Sequence, residues 1–178
     1  TANIKRGITK VKDPGSALTH FIAMILAIIA AIPLLLKAGR DSGHMHISAL
    51  TIFILSMIGL YAASTIYHTL DISPKINKLL RKIDHMMIFI LIAGTYTPVC
   101  MIVLGDRTGW TLLTLVWGIA IVGILINALW IACPKWFSSL IYIAMGWVCI
   151  LAITKILSSL PKAGFMWLLA GGIIYTAG

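Results

Sequence analysis

Residues 83–104 read IDHMMIFILIAGTYTPVCMIVL, a run that carries one carboxylate and one imidazole at its start and no other charged side chain. A helix needs about 20 mostly apolar residues to cross the hydrocarbon core of a bilayer. The run has no strict alternation of apolar and polar residues, which a strand of a transmembrane barrel would show. It therefore predicts a membrane-spanning helix.

The rest of the chain repeats this pattern. Of its 178 residues 60% are hydrophobic and 11% are charged, whereas a soluble domain has about 45–50% apolar and about 25% charged residues. This composition excludes a water-soluble globule. We predict an all-α polytopic transmembrane bundle that forms a single integral membrane domain over residues 1–178. Its helices are predicted at 16–36, 47–70, 83–104, 109–132, 138–157 and 163–178.

The last of these segments is short for a membrane span. The 16 residues from 163 to 178 would cover about 24 Å at about 1.5 Å per residue, whereas the hydrocarbon core is about 30 Å thick. We therefore expect the sequence to stop inside its sixth helix and a seventh helix to follow.

Basic residues predict the orientation, because lysine and arginine are enriched in cytoplasmic loops. Nine of the 14 lie on the side of the N-terminus and five on the other side. This predicts a multi-pass protein of the cell's inner (plasma) membrane with a cytoplasmic N-terminus. The nine are Lys5, Arg6, Lys10, Lys12, Lys75, Lys78, Arg81, Lys82 and Lys135, and the five are Lys37, Arg40, Arg107, Lys155 and Lys162.

The net charge of +9 does not indicate a nucleic-acid partner. The basic residues lie between apolar runs and form no continuous stripe, which is the pattern that nucleic-acid binding would require. Basic loops on an apolar chain instead favour contact with anionic membrane lipid. Membrane lipid is therefore the predicted partner.

Ionisable side chains gather at one predicted membrane depth. His20 lies about one turn into the first helix, Ser64 and His68 lie near the end of the second, and Asp84 and His85 open the third. Such residues are costly within a membrane and tend to be functional. Ser64 and His68 share a helix face because they are four residues apart. We predict that they converge with Asp84 at the cytoplasmic end, with His20 or His85 nearby.

Two interpretations of this cluster remain open from the residues alone. Imidazoles with a carboxylate suit zinc, and a catalytic zinc ion keeps a position for water and lowers the pKa of that water. Alternatively, His68 and Asp84 stabilise the helix ends through the helix dipole, or Asp84 pairs with Arg81 or Lys82. The chain contains no HExxH or HxxxH pair, the spacings that signal many zinc sites.

Three stretches resemble the haemolysin III family, the bacterial branch of the progestin and adipoQ receptor family. The Thr19-His20 pair at the start of the first helix is also similar to that family. The resemblance implies a seven-helix bundle with a zinc ion near the cytoplasmic face. The stretches are Ser64-Thr65-Ile66-Tyr67-His68, Lys82-Ile83-Asp84-His85 and Ile92-Ala93-Gly94-Thr95-Tyr96-Thr97-Pro98.

The resemblance also implies roles for individual residues. It makes His68 a zinc ligand, Asp84 a ligand through water or the group that holds the metal-bound water, and Ser64 a group on the oxyanion side. The family's two other zinc histidines lie four residues apart on the seventh helix, which this sequence does not contain. Were 178 residues the whole protein, a site of three histidines in the family's form would be impossible, and His20 or His85 would have to substitute.

The function implied by the resemblance is zinc-dependent hydrolysis of amide or ester bonds in membrane lipids, similar to what is proposed for adiponectin receptors and alkaline ceramidases. In that scheme zinc on His68 activates water, Asp84 acts as general base and Ser64 polarises the carbonyl. Bacterial members are also linked to membrane homeostasis.

Two alternatives come from other functional classes. The family name implies a pore-forming cytolysin or channel, and a receptor or regulator with a structural metal would need no turnover. A conducting pore would require polar residues along a helix face, but Asn127, Thr95 and Thr97 are among the few polar residues in the middle of the apolar runs. This scarcity weakens the channel alternative.

Overall fold

The computed structural model describes residues 11–41, 43–129 and 135–177, and these residues contain no β-strand. A π-helical segment, Val99–Leu104, continues the third α-helix, and a 3₁₀ segment, Val148–Ala152, joins the fifth to the sixth. The α-helices of these residues are α1 (Pro14–Asp41), α2 (Gly43–Thr69), α3 (Pro74–Pro98), α4 (Arg107–Leu129), α5 (Lys135–Trp147), α6 (Ile153–Ser159) and α7 (Lys162–Ala177).

Some predictions fall outside the described residues. They are the charges of Lys5, Arg6 and Lys10, the side chain of Lys135, the end of the fourth helix at Ala132, and Gly178.

Helices long and apolar enough to cross a membrane make up most of the described chain. There are five of them, and α7 adds a sixth apolar helix of 16 residues. A helix satisfies its backbone hydrogen bonds within its own segment, as a lipid environment requires. The structure therefore confirms the prediction of an all-α polytopic bundle. The five spans are Pro14–Arg40, Gly43–Thr69, Pro74–Leu104, Arg107–Leu129 and Trp136–Ser159.

Consecutive helices pack against one another, α1 on α2, α2 on α3 and α3 on α4. The core of the bundle follows α3, where Phe89, Ala93 and Cys100 are at most 1% exposed. From the neighbouring helices, Val116 and Met145 pack into the same cluster with no exposed surface. The third helix is thus the central element, and it positions Asp84 against the end of α2.

The helix α3 begins at Pro74, well before the predicted start at residue 83. Ser73 caps it, since the Ser73 side chain accepts a hydrogen bond from the backbone N–H of Ile76 at 3.3 Å. A serine cap followed by proline favours a helix start. The lysines that follow lower the hydropathy of this segment but do not prevent it from being helical, which is why the apolar run begins later than the helix. Asp84 therefore lies in about the third turn, and the alternative in which it stabilises a helix N-terminus is wrong.

Regular α-helical bonding in α3 ends at Pro98. Proline has no backbone N–H, so the carbonyl of Gly94 one turn earlier lacks its usual partner. From Val99 the helix widens to π geometry, and the backbone N–H of Gly105 closes it by donating to the carbonyl of Cys100 at 3.1 Å. Gly105 has a φ of 58°, a left-handed conformation that glycine adopts without strain.

The fifth membrane segment, predicted as one helix over 138–157, is interrupted by a 3₁₀ turn between α5 and α6. Tyr96 on α3 bridges this interruption. Its hydroxyl accepts a hydrogen bond from the backbone N–H of Cys149 at 2.9 Å. The same hydroxyl donates toward the carbonyl oxygens of Met145 and Gly146, at 2.9 and 2.7 Å. A side chain from another helix thus satisfies backbone groups at the interruption.

We expect Tyr96→Phe to lower the free energy of unfolding by about 1–3 kcal/mol, because it leaves polar backbone groups inside the bundle without a partner. Unfolding by sodium dodecyl sulfate in mixed micelles, followed by circular dichroism, measures this. The control is Thr114→Val, which removes an exposed hydroxyl bonded to a carbonyl of its own helix. Equal midpoints for the Tyr96 variant and the wild type would contradict the prediction.

An ion pair joins α6 to the start of α4 at the end of the bundle opposite to His68. Lys155 Nζ lies 2.6 Å from Asp106 Oδ2 and also donates to the hydroxyl of Thr108. Asp106 caps α4 as well, by accepting from the backbone N–H of Gly109 at 3.0 Å. The hydrogen bond from Lys155, followed by the one from Gly109, lowers the pKa of Asp106 from 3.8 to about 2.

This lowered pKa predicts a pH dependence of stability. A carboxylate whose pKa is depressed by folding stabilises the folded state above its unfolded pKa, and that contribution disappears as the pH falls through the folded pKa. Wild-type protein should lose this contribution between pH 3.8 and about 2, and Asp106→Asn should lack that part of the decline. The effect is small, since the pair is half exposed. Thermal unfolding as a function of pH measures it, and superimposable curves would rule it out.

Candidate functional site

The candidate residues lie at the end of the bundle where α1 begins and α2 ends. His20 is in the second turn of α1, Ser64 and His68 are in the last two turns of α2, and Asp84 and His85 follow in α3. Ser64 is 4% exposed and Asp84 is 8% exposed, while the histidines are partly buried. The structure therefore brings all five side chains to the same end of the bundle.

Asp84 provides a buried carboxylate at this end. Its Oδ2 lies 3.6 Å from His85 Nδ1. The carboxylate also lies next to the Ser64 hydroxyl and within electrostatic reach of His68. A carboxylate in such a place can hold a water molecule and accept a proton from it.

The basic residues just before Asp84 on α3 do not neutralise it. Lys82 Nζ donates instead to the carbonyl of Ala128, in the last turn of α4, at 2.9 Å. Within the described part of the chain, the basic side-chain nitrogen found within 4 Å of the Asp84 carboxylate is His85 Nδ1. The alternative in which Asp84 pairs with Arg81 or Lys82 is therefore wrong.

The ring of His68 is held on several sides. Its Nδ1 lies 3.2 Å from Asp13 Oδ2. The ring stacks on His20 with centroids 5.6 Å apart and planes at 12°. Tyr67 meets it edge-on at 4.8 Å. The imidazole orientation is thus fixed by residues of two helices and of the segment before α1.

Asp13 received no role from the sequence, although the structure places it in contact with the site. It lies at the N-cap of α1, where Ser16 donates its hydroxyl at 2.7 Å and its backbone N–H at 3.5 Å to the carboxylate. These hydrogen bonds, and more weakly His68, hold the pKa of the Asp13 carboxyl below its usual value. An Asp-Pro-x-Ser stretch before an apolar run is a signal for a helix start, and it would have placed this carboxylate level with the end of α2.

The side chains at this end of the bundle fit a zinc ion only in part. Zinc binds imidazole nitrogens and carboxylate oxygens. However, no three His, Cys, Asp or Glu side chains in residues 11–41, 43–129 and 135–177 lie close enough together to hold a metal ion. His68 and Asp84 therefore supply at most part of a coordination shell, and neither His20 nor His85 completes it. The zinc site stays a prediction.

Buried polar side chains elsewhere in the bundle are engaged in packing. Asn127 on α4 accepts a hydrogen bond from the Ser138 hydroxyl at 3.2 Å, which joins α4 to α5. The hydroxyl of Thr97 donates to the carbonyl of Ala93 at 3.0 Å and accepts from Trp117 Nε1 at 3.2 Å. These contacts join α4 to α5 and α3 to α4.

Comparison with known proteins gives consistent matches over most of the chain. The sequence model described as "Haemolysin-III related" matches residues 8–178. Hemolysin-3 of Bacillus cereus is 42% identical over 167 residues, which cover 94% of this chain and 76% of that protein. The Hemolysin-3 homolog of Bacillus subtilis (strain 168) is 38% identical over 167 residues, which cover 94% of this chain and 78% of that protein. No solved structure gives a significant match.

Proposed function

The chain belongs to the haemolysin-III-related family of integral membrane proteins, and from this premise we propose that it hydrolyses amide or ester bonds of membrane lipids with the help of zinc. The observation that carries the proposal is the buried carboxylate of Asp84, which lies next to Ser64 and within electrostatic reach of His68 at one end of the bundle. A buried carboxylate beside an imidazole and a hydroxyl is the combination that general-base catalysis of acyl transfer uses.

The three side chains divide the chemistry as follows. Asp84 accepts a proton from a water molecule whose oxygen forms a bond to the carbonyl carbon of the lipid. The carbon–nitrogen or carbon–oxygen bond then breaks, and the proton passes from Asp84 to the leaving amine or alcohol. The hydroxyl of Ser64 donates a hydrogen bond to the oxyanion that forms on the carbonyl oxygen.

Zinc is the cofactor of the proposal. A zinc ion, when bound, supplies a Lewis acid and lowers the pKa of water. Of the residues of this chain, His68 would hold it directly and Asp84 would hold it through a water molecule. The described residues do not complete a coordination shell, so the remaining protein ligands would come from outside them.

The position of the site supports a lipid as substrate. His68 lies in the last turn of the membrane-spanning helix α2, at the depth of the interfacial region that flanks the hydrocarbon core, and Asp84 lies within electrostatic reach of it. Ester and amide linkages of lipids lie in that region, between the headgroup and the acyl chains. Ile83, next to Asp84, is 37% exposed and gives the site an apolar approach for an acyl chain.

The test combines metal content with turnover in full-length protein reconstituted into lipid vesicles. Wild-type protein should carry about one zinc ion per chain and release fatty acid from ceramide or phospholipid. His68→Ala should lose both properties. His44→Ala, at the opposite end of α2, is the matched control and should keep them. Wild-type protein that binds zinc but releases no fatty acid would overturn the hydrolase proposal.

The names of the two Bacillus relatives favour a second candidate, a pore-forming cytolysin. Release of a trapped dye from the same vesicles distinguishes the two functions, since hydrolysis at low protein-to-lipid ratio leaves vesicles intact. Dye release by wild type without fatty-acid production would favour the pore. Bound zinc with neither activity would favour a receptor or regulator with a structural metal.

We further propose that the N-terminus and the candidate site face the cytoplasm of the inner (plasma) membrane. Lys12, Lys75 and Lys78 lie at the same end of the bundle as His68, consistent with the enrichment of basic residues in cytoplasmic loops. In a cysteine-free background, Lys78→Cys should resist an impermeant thiol reagent in intact cells, whereas Lys37→Cys should react. Labelling of position 78 from outside would reverse the proposed orientation.

A further inference from the structure

The segment before α1 is fastened to the last turn of α2. The backbone N–H of Asp13 donates to the carbonyl of His68 at 2.9 Å, and that of Lys12 donates to the carbonyl of Thr69 at 3.4 Å. Lys12 Nζ also lies 3.6 Å from the ring centroid of Tyr67. Three consecutive residues of α2 are therefore held by two consecutive residues of this segment.

These contacts deliver a carboxylate to one particular nitrogen. Asp13 Oδ2 lies 3.2 Å from His68 Nδ1. An ionised carboxylate only accepts hydrogen bonds, so a hydrogen bond across this contact requires the proton to be on Nδ1. In the neutral imidazole the other nitrogen, Nε2, then carries the lone pair. Ser16 holds the carboxylate in place through its hydroxyl at 2.7 Å.

Contacts with neighbouring aromatic rings restrict the rotation of the His68 side chain. Stacking on His20, with planes at 12°, and the edge contact with Tyr67 keep the His68 ring from turning about its Cβ–Cγ bond. Histidines that act as ligands or bases commonly have one ring N–H bound to a carboxylate, which fixes the tautomer and raises the basicity of the other nitrogen.

We propose that Asp13 is a positioning residue for His68: its carboxylate binds Nδ1–H and so presents Nε2 as the acceptor or ligand nitrogen of the site. The inference about the tautomer stands on this contact geometry, and its importance for zinc and turnover rests on the function proposed above. Asp13 itself touches neither substrate nor metal in this scheme.

The test reads the tautomer directly by ¹⁵N nuclear magnetic resonance of full-length protein labelled at histidine and reconstituted in lipid. The spectrum of His68→Gln identifies the His68 signals by their loss. Wild-type protein should show protonated Nδ1 and unprotonated Nε2 at His68. Asp13→Asn keeps the helix cap but removes the charge, and it should give a mixture of both tautomers. Asp13→Glu should restore the wild-type pattern.

The control variant is Asp71→Asn, which removes another carboxylate at the same end, bonded to Asn77 at 2.6 Å and to no histidine among the described residues. It should leave the His68 signals unchanged. Wild-type His68 protonated at Nε2, or identical His68 signals in wild type and Asp13→Asn, would overturn the inference.

Zinc affinity provides a second measurement, by competition with a chelator. Loss of an outer partner of a ligating histidine typically weakens metal binding by about 10–100-fold, and we expect this for Asp13→Asn but not for Asp71→Asn. The two proposals fail separately. Absence of turnover with the tautomer fixed as expected would overturn the hydrolase alone, whereas turnover with an unconstrained His68 would overturn the role of Asp13 alone.

Discussion

Asp84→Asn is expected to slow lipid hydrolysis by a factor of about 10² to 10⁴, which is the usual contribution of a general base. Asparagine has the same shape as aspartate, but its amide cannot take the proton from water. The rate of fatty-acid release by reconstituted wild type and variant measures the effect. Because the substitution is isosteric, circular dichroism of the variant should match that of the wild type.

The matched control for this prediction is again Asp71→Asn. Asp71 lies at the same end of the bundle but outside α2 and α3, with an exposed side chain. Its loss should change the hydrolysis rate by less than about twofold, because substitutions of exposed side chains outside the site have small effects. A folded Asp84→Asn protein that retains more than a tenth of the wild-type rate would contradict the role of Asp84 as base.

A loss of stability as large as that of Tyr96→Phe is expected from Gly109→Ala. A Cβ atom at this position would lie 2.3 Å from the carbonyl oxygen of Cys100 and 3.2 Å from its carbonyl carbon. These are backbone atoms of the π segment, which cannot rotate out of the way as a side chain does. The first turn of α4 would have to move off the π segment, and overpacking of this kind lowers the free energy of unfolding by about 1–3 kcal/mol.

Gly118→Ala in the same helix is the control. A Cβ atom there has no neighbour within 4 Å, and alanine is a better helix former than glycine. Denaturation in mixed micelles should therefore give a lower midpoint for the Gly109 variant and an unchanged or higher one for the Gly118 variant. Equal stability of the two variants would show that α4 does not pack closely on Cys100.

The membrane helices could be predicted because each depends on the apolar composition of its own segment. A run of about 20 apolar residues is enough to require a helix in lipid, and the run that contains Phe89 is one of them. The start of α3 was missed because it depends on the cap at Ser73, whereas hydropathy is lowered there by lysines that the helix tolerates.

The interruption of the fifth segment could not be predicted, since its partner is distant in the sequence. In the turn between α5 and α6, the backbone N–H of Cys149 donates a hydrogen bond to the hydroxyl of Tyr96, which belongs to α3. The hydropathy of a segment does not indicate a contact with a residue of another helix. Only the packing of α5 on α3 brings the two residues together.

Part of the candidate site could be predicted from the sequence. Ser64 and His68 share a face by spacing alone, and Asp84 was expected beside them because α2 and α3 are neighbours in the chain. Their chemical roles remain predictions. Asp13 was missed because its contact with His68 depends on the backbone hydrogen bonds that fold the segment before α1 onto α2.

The π segment at the end of α3 has a consequence for the evolution of the protein. A π turn holds one more residue than an α turn, so the segment Val99–Leu104 accommodates an extra residue without turning the start of α4 away from its partners. Deleting that residue would return the segment to α geometry and keep Asp106 near Lys155 and Gly109 near Cys100. Selection should therefore tolerate a difference of one residue in the length of this segment, and related sequences should align across it either without a gap or with a gap of one residue.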